Sequence, residues 1–156
     1  MTIRTATKAD TEGILTLLSQ VLEIHAEIRP DIFISGTTKY TREELEEILA
    51  DESRPVYVAT EDDNKVSGYA FCVLKSVDFA TTMHPCKTLF IDDFCVDGSA
   101  RGRGIGKALF DYAKERAKEL GCRDITLAVW EGNSGAREFY CKMGMTPRET
   151  IMEIKV

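Results

Sequence analysis

The pattern of apolar residues along this chain predicts an α+β fold, with a single mixed, mostly antiparallel central sheet flanked by helices, over residues 1–156 as one domain. Three observations support it. Two β-rich runs, 56–59 and 66–73, are separated by Asp62, Asp63 and Asn64 and read as an antiparallel hairpin. Between the strand-like runs 88–96 and 125–129 lies a stripe of helical spacing, so the sheet is mixed. No internal repeat, low-complexity tract or linker rich in Pro, Gly or Ser divides the 156 residues.

Residues 2–6 suit a short strand. Thr7-x-x-Asp10 resembles a capping box and opens a helix with Ile14, Leu17, Leu18, Val21 and Leu22 on one stripe, which Pro30 stops. Residues 29–39 read as an ordered loop. Thr41-x-x-Glu44 is a second capping box, and the helix carrying Leu45, Ile48 and Leu49 ends before Pro55. After the hairpin come a loop over 76–85, the strand 88–96, a glycine-rich turn, and a helix bearing Ile105, Leu109, Tyr112, Ala113 and Leu120. Gly121 is placed to cap its C-terminus. Asn133 is placed to N-cap a last helix with Ala136, Phe139, Tyr140 and Met143, and residues 151–156 alternate enough to close the sheet.

Composition narrows the function. Twenty basic and 26 acidic residues give a net charge of -6, with 44% hydrophobic and 29% charged residues. Such a chain lacks the basic excess that nonspecific nucleic-acid binding requires, and suits a cationic or amine partner. The longest apolar run, 69–74, is six residues, far short of the ~20 that span a bilayer. No secretory signal or myristoylation pattern opens the sequence, so a cytoplasmic location is expected. Cys72, Cys86, Cys95, Cys122 and Cys141 are odd in number and lack C-x-x-C spacing, which fits reduced thiols. With only His25 and His84 to join them, no metal site is expected.

The turn Arg101-Gly102-Arg103-Gly104-Ile105-Gly106 lies between a strand and a helix, where backbone N–H groups and the helix dipole hold phosphate. It is neither a dinucleotide fingerprint, since Lys107 or Leu109 stands where the last glycine belongs, nor a Walker A loop, since Arg101 and Ala108 break that pattern. It does match R/Q-x-x-G-x-G/A. Leu89-Phe90-Ile91-Asp92-Asp93-Phe94-Cys95-Val96 precedes it, and Asn133-x-x-Ala136-x-x-Phe139-Tyr140-x-x-x-Gly144-Met145 follows it. Together these resemble the GNAT superfamily of acyl-CoA-dependent N-acetyltransferases, with Met145 in place of the usual Phe. The resemblance is motif-specific from about Leu89 to Met145 and follows element order elsewhere.

That resemblance implies a GNAT fold, acetyl-CoA as acyl donor and an amine acceptor, joined by direct attack in a ternary complex, with no metal. It assigns Phe94, Cys95, Val96, Arg101, Gly102, Arg103, Gly104, Ile105, Gly106, Asn133 and Tyr140 to the cofactor. The 101–106 amides would cradle the pyrophosphate, Asn133 would meet the pantetheine arm, and Tyr140 would protonate the departing thiolate. Asn133 and Tyr140 are seven residues apart and share a helix face.

Asp92 and Asp93 sit mid-strand, where alternation points them to opposite faces. A carboxylate among apolar neighbours has its pKa raised toward the range of a general base. The pair is similar to the acidic pair of polyamine-acetylating relatives, and the expected roles are Asp92 as base and Asp93 as acceptor ligand. By resemblance, His25, Arg29, Phe33 and Trp130 border the acceptor groove. Cys95 and Cys141 fit small hydrophobes better than acyl-cysteine nucleophiles, because no His is placed beside them. The acceptor candidates are a polyamine or other small amine, an antibiotic amine, or a protein amino group. A homodimer is the oligomeric expectation. The rival reading is a catalytically idle acyl-CoA-binding or regulatory module, against which the retention of Tyr140, Asp92 and Asp93 speaks.

Overall fold

The computed structural model describes residues 1–61, 63–78 and 81–156. Asp62 of the expected hairpin turn, and residues 79 and 80 of the expected loop, lie outside the described residues. Strands β1 (Thr2–Thr5), β2 (Val56–Thr60), β3 (Val66–Val77), β4 (Cys86–Val96) and β5 (Asp124–Leu127) form one sheet in that spatial order. The first four pair antiparallel, and β4 pairs parallel with β5. The mixed sheet expected from the sequence is therefore present, with β3 and β4 running further into the connecting loop than the apolar runs suggested.

Helices α1 (Thr11–Ile28) and α2 (Arg42–Leu49) cover one face and α3 (Ile105–Glu119) the other. The α1 stripe Ile14, Leu17 and Leu18 is buried with Leu45 and Ile48 of α2 against Val58, Tyr69, Phe71 and Cys95. On the opposite face, Leu109, Phe110, Ala113 and Ala117 of α3 pack on Tyr57, Ala70, Leu89 and Ile91. Helix α4 (Ser134–Lys142) joins the edge of that second core through the half-buried Phe139 and Tyr140.

The caps follow the sequence. The Thr41 hydroxyl accepts from the Glu44 N–H at 3.2 Å, and the Glu44 carboxylate accepts from the Thr41 N–H at 2.8 Å. Asn133 accepts from the Ala136 N–H at 3.2 Å. Gly121, with φ +72°, ends α3, and the Cys122 N–H reaches back to the Ala117 carbonyl at 2.9 Å.

One expectation fails. Residues 151–156 form no strand, and Ile151, Met152 and Ile154 are 85–87% exposed. Alternation shows only that a segment tolerates an extended backbone; a ladder also needs a partner edge. Here Glu153 and Lys155 pair instead with Arg29 (2.8 Å) and Asp31 (3.2 Å) beyond the C-terminus of α1.

Asp10 anchors the chain's first crossing. Its side chain is 3% exposed and accepts two bonds from Arg4, at 2.7 and 2.8 Å, and one from the Thr7 N–H at 2.7 Å. Burial pushes its pKa up, but Arg4 and Thr7 outweigh this and hold it below the ordinary carboxylate range. The resulting stability is fully present above the unfolded value of about 4 and is lost as pH falls through the lower folded value. Asp10→Ala should therefore cost about 2–3 kcal/mol at pH 7. Urea midpoints should show the gap from wild type narrowing in acid.

Candidate active site

The site begins with a mismatch between β3 and β4. Phe71 pairs with Asp93 and Cys72 with Ile91, which leaves Asp92 as an extra residue with no partner across the ladder. Such a bulge sends two successive side chains to one side of the sheet. Ile91 and Phe94 both meet the α3 core, and the two carboxylates between them turn the other way. The opposite-face expectation for Asp92 and Asp93 is thereby overturned. Both reach the same ammonium, Lys39 Nζ, at 2.8 Å from Asp92 and 3.4 Å from Asp93.

The two carboxylates differ in setting. Asp93 is 8% exposed and accepts from the Tyr69 hydroxyl at 3.2 Å, whereas Asp92 is 35% exposed. Burial raises the Asp93 pKa, and Lys39 and Tyr69 only partly offset it. Lys39 shows the converse balance: burial disfavours its charge, but Asp93 and Asp92 hold its pKa above the ordinary lysine value. Burial lowers the pKa of His25, with Asp93 and Lys39 acting on it in opposite directions, so its imidazole is neutral at neutral pH.

Strands β4 and β5 pair only from Thr88 to Ile91 on β4. From Asp92 to Val96, β4 has no β5 partner, and the N-terminus of α3 follows just beyond. Gly102 and Gly104 have φ of +77° and +80°, a region that favours glycine, and Gly104 N-caps α3 without any side-chain hydrogen bond. The first N–H groups of a helix lack intrahelical acceptors, so this turn presents uncapped donors at the positive end of a 15-residue helix dipole. Arg101 Nε reaches the Val96 carbonyl at 3.4 Å, and Arg103 pairs with Glu61 at 2.7 Å. The Arg103 side chain is exposed, and such a surface pair is readily exchanged for a phosphate contact.

Tyr140 closes the α3 side of this gap. Its ring lies 6.1 Å from Phe94, 6.3 Å from Phe110 and 5.2 Å from Phe139. Burial, and then the charge of Asp93, push its phenol above the ordinary range, so the proton stays on the oxygen. Burial likewise pushes the Cys95 thiol up to about 12, which keeps it from acting as a thiolate.

His25, Arg29, Phe33 and Trp130 form one cluster. The Phe33 ring is 5.1 Å from His25 and 5.2 Å, edge-on, from Trp130, while the Arg29 guanidinium lies 5.9 Å from the Trp130 ring. The cluster adjoins the carboxylate pair through His25. Two residues of the site, Lys39 and Tyr69, were not singled out from the sequence. Tyr69 pairs with Cys95, two residues along β4 from Asp93, and only the ladder reveals that. Lys39 arrives from the connection between α1 and α2, and nothing in its spacing points to β4.

A family model described as the acetyltransferase (GNAT) family matches residues 18–145. The chain is 29% identical over 150 residues to an uncharacterized N-acetyltransferase of Methanocaldococcus jannaschii, covering 96% of this chain and 62% of that protein. It is 34% identical over 105 residues to a peptidyl-lysine N-acetyltransferase of Salmonella typhimurium, covering 66% of this chain and 59% of that one. The matched segments thus span less than two thirds of these relatives. A solved structure of a tetramutant of the BH1408 protein from Bacillus halodurans is 31% identical and superposes with a TM-score of 0.95 over the full length of both chains. With the phosphate-type turn, the parted strands and this match over most of its length, the chain belongs to the acetyltransferase (GNAT) family.

Proposed function

We propose that the protein transfers an acetyl group from acetyl-CoA to a cationic primary amine, by direct attack within a ternary complex. The observation that carries this reading is the alkylammonium of Lys39 held by both carboxylates beside the open edge of β4. A pair that binds one primary alkylammonium has the charge and hydrogen-bonding capacity to bind another. The name of the Salmonella relative favours a lysine-like acceptor.

In this reading the uncapped amides at 101–106 hold the pyrophosphate, with Arg101 and Arg103 adding charge. Phe94, Cys95 and Val96 border the acyl arm along the free edge of β4, and Asn133 meets that arm from the start of α4. Asp93, buried with a raised pKa, fits the base better than Asp92. The exposed Asp92 fits the docking of the ammonium. This exchanges the roles expected from the family resemblance. Tyr140 keeps its proton until the thiolate of CoA departs. The thiol has a pKa of about 8.5, so it leaves readily and takes that proton. His25, Phe33 and Trp130 form an aromatic wall for the acceptor's carbon chain. Thiol release from acetyl-CoA over a panel of amines tests the reading directly; CoA binding without release from any amine would replace it with a pure binding module.

Three variants probe the parts. Gly104→Val adds a side chain at φ +80°, which strains the turn by roughly 1–2 kcal/mol and crowds the phosphates. Calorimetry on the folded variant should show CoA affinity reduced by about tenfold or more. Tyr140→Phe should lower kcat about 10²–10⁴-fold with acetyl-CoA affinity nearly intact. Asp93→Asn should depress kcat most at pH values far below the amine's own pKa, where a base is needed. In wild type the acid limb of kcat should lie above the ordinary carboxylate range, following the raised Asp93 pKa. Asp92→Asn should instead raise KM for the amine and weaken its salt dependence.

A further inference from the structure

We propose that Lys39 is itself an acceptor, a self-acetylation site that the enzyme modifies in cis from its bound acyl-CoA thioester. This rests on the proposed acetyltransferase reading and extends it to one residue of the chain. Lys39 Nζ is a primary amine already seated on the two carboxylates, 2.8 Å from Asp92 and 3.4 Å from Asp93, so the groups proposed to bind and deprotonate an external amine already bind this one. Tyr140, the proposed proton donor, lies within the field of the same Asp93. The nucleophile and the base are thus already in contact on β4 without any added acceptor. Lys107 and Lys118, by contrast, pair with Asp111 and Glu115 on the exposed surface of α3 and touch neither carboxylate of the pair.

The step balances as follows. The Lys39 ammonium gives one proton to Asp93, and its nitrogen attacks the thioester carbonyl carbon. A C–N bond forms and the C–S bond breaks. The second proton lost by nitrogen balances the one that Tyr140 delivers to the CoA sulfur, and the proton on Asp93 passes to solvent. The product amide carries no charge. Asp92 and Asp93 then lose their internal counter-ion and stand open to an external ammonium, so the modification converts a self-neutralised pair into a cation site.

The test uses the full chain with acetyl-CoA and no added amine, followed by peptide mass mapping over time at several protein concentrations. One acetyl group should appear on Lys39, with a first-order rate that does not change with protein concentration and well ahead of Lys107 and Lys118. Asp93→Asn should slow it by about a hundredfold or more, and Lys39→Arg should take no acetyl group at that position. Two results overturn the proposal: Lys39 labelled no faster than Lys107 and Lys118, or a rate that rises in proportion to protein concentration. If either accompanies normal thiol release with added amines, the acetyltransferase reading stands alone. If neither self-acetylation nor amine turnover occurs, both readings fall.

Discussion

Strand β4 carries one residue more than β3 can pair with, and the arrangement of the site follows from that surplus. Without the bulge, alternation would send one of the two adjacent carboxylates to the α3 face, where an ionised carboxylate has no counter-charge among the residues of that core. With it, both carboxylates turn to the α1 side and share one ammonium. The bulge also marks the level at which β4 and β5 part, since their pairing ends at Ile91. One local irregularity therefore collects negative charge and coincides with an open strand edge beside it.

Charge on the α1 side is held by mutual compensation. A carboxylate as buried as that of Asp93 is costly unless something positive or hydrogen-bonding faces it. Lys39 supplies the charge and Tyr69 the hydrogen bond, and His25, neutral by burial, closes the cluster toward the aromatic group at the end of α1. Lys39 comes from a loop and remains 37% exposed, so this counter-ion can be exchanged where a helix-borne one would be fixed. A fixed cation would make the pair purely structural; an exchangeable one leaves it available for chemistry.

The α3 side supplies what the other side lacks. Phe94, Phe110, Phe139 and Tyr140 form a continuous aromatic wall, interrupted by one phenol that burial keeps protonated. Beyond it, the glycine turn exposes the positive end of α3. Along the chain, the part of β4 unpaired with β5 thus runs from the two carboxylates at its start to the glycine turn that leads into α3. The Asp10–Arg4 pair ties β1, at the other edge of the sheet, to the turn that leads into α1.

The sequence by itself determined the local features, because these depend on neighbours within a few residues. The capping boxes at Thr41 and Thr7, the Gly121 stop, the Asn133 cap and the order of strands and helices as far as α4 were all legible in it. Tertiary structure decided what depends on pairing across the sheet. An alternating tail at 151–156 looks like a strand until the available edges are known, and it ends outside the sheet, tied to Arg29 and Asp31. Asp92 and Asp93 look like opposite-facing neighbours until the register with β3 shows one residue too many. Lys39 and Asp93 are 54 positions apart in sequence, and only folding the loop after α1 over β4 makes them partners. Short-range backbone preferences are written residue by residue, whereas register and long-range charge pairing exist only once two distant segments are brought together.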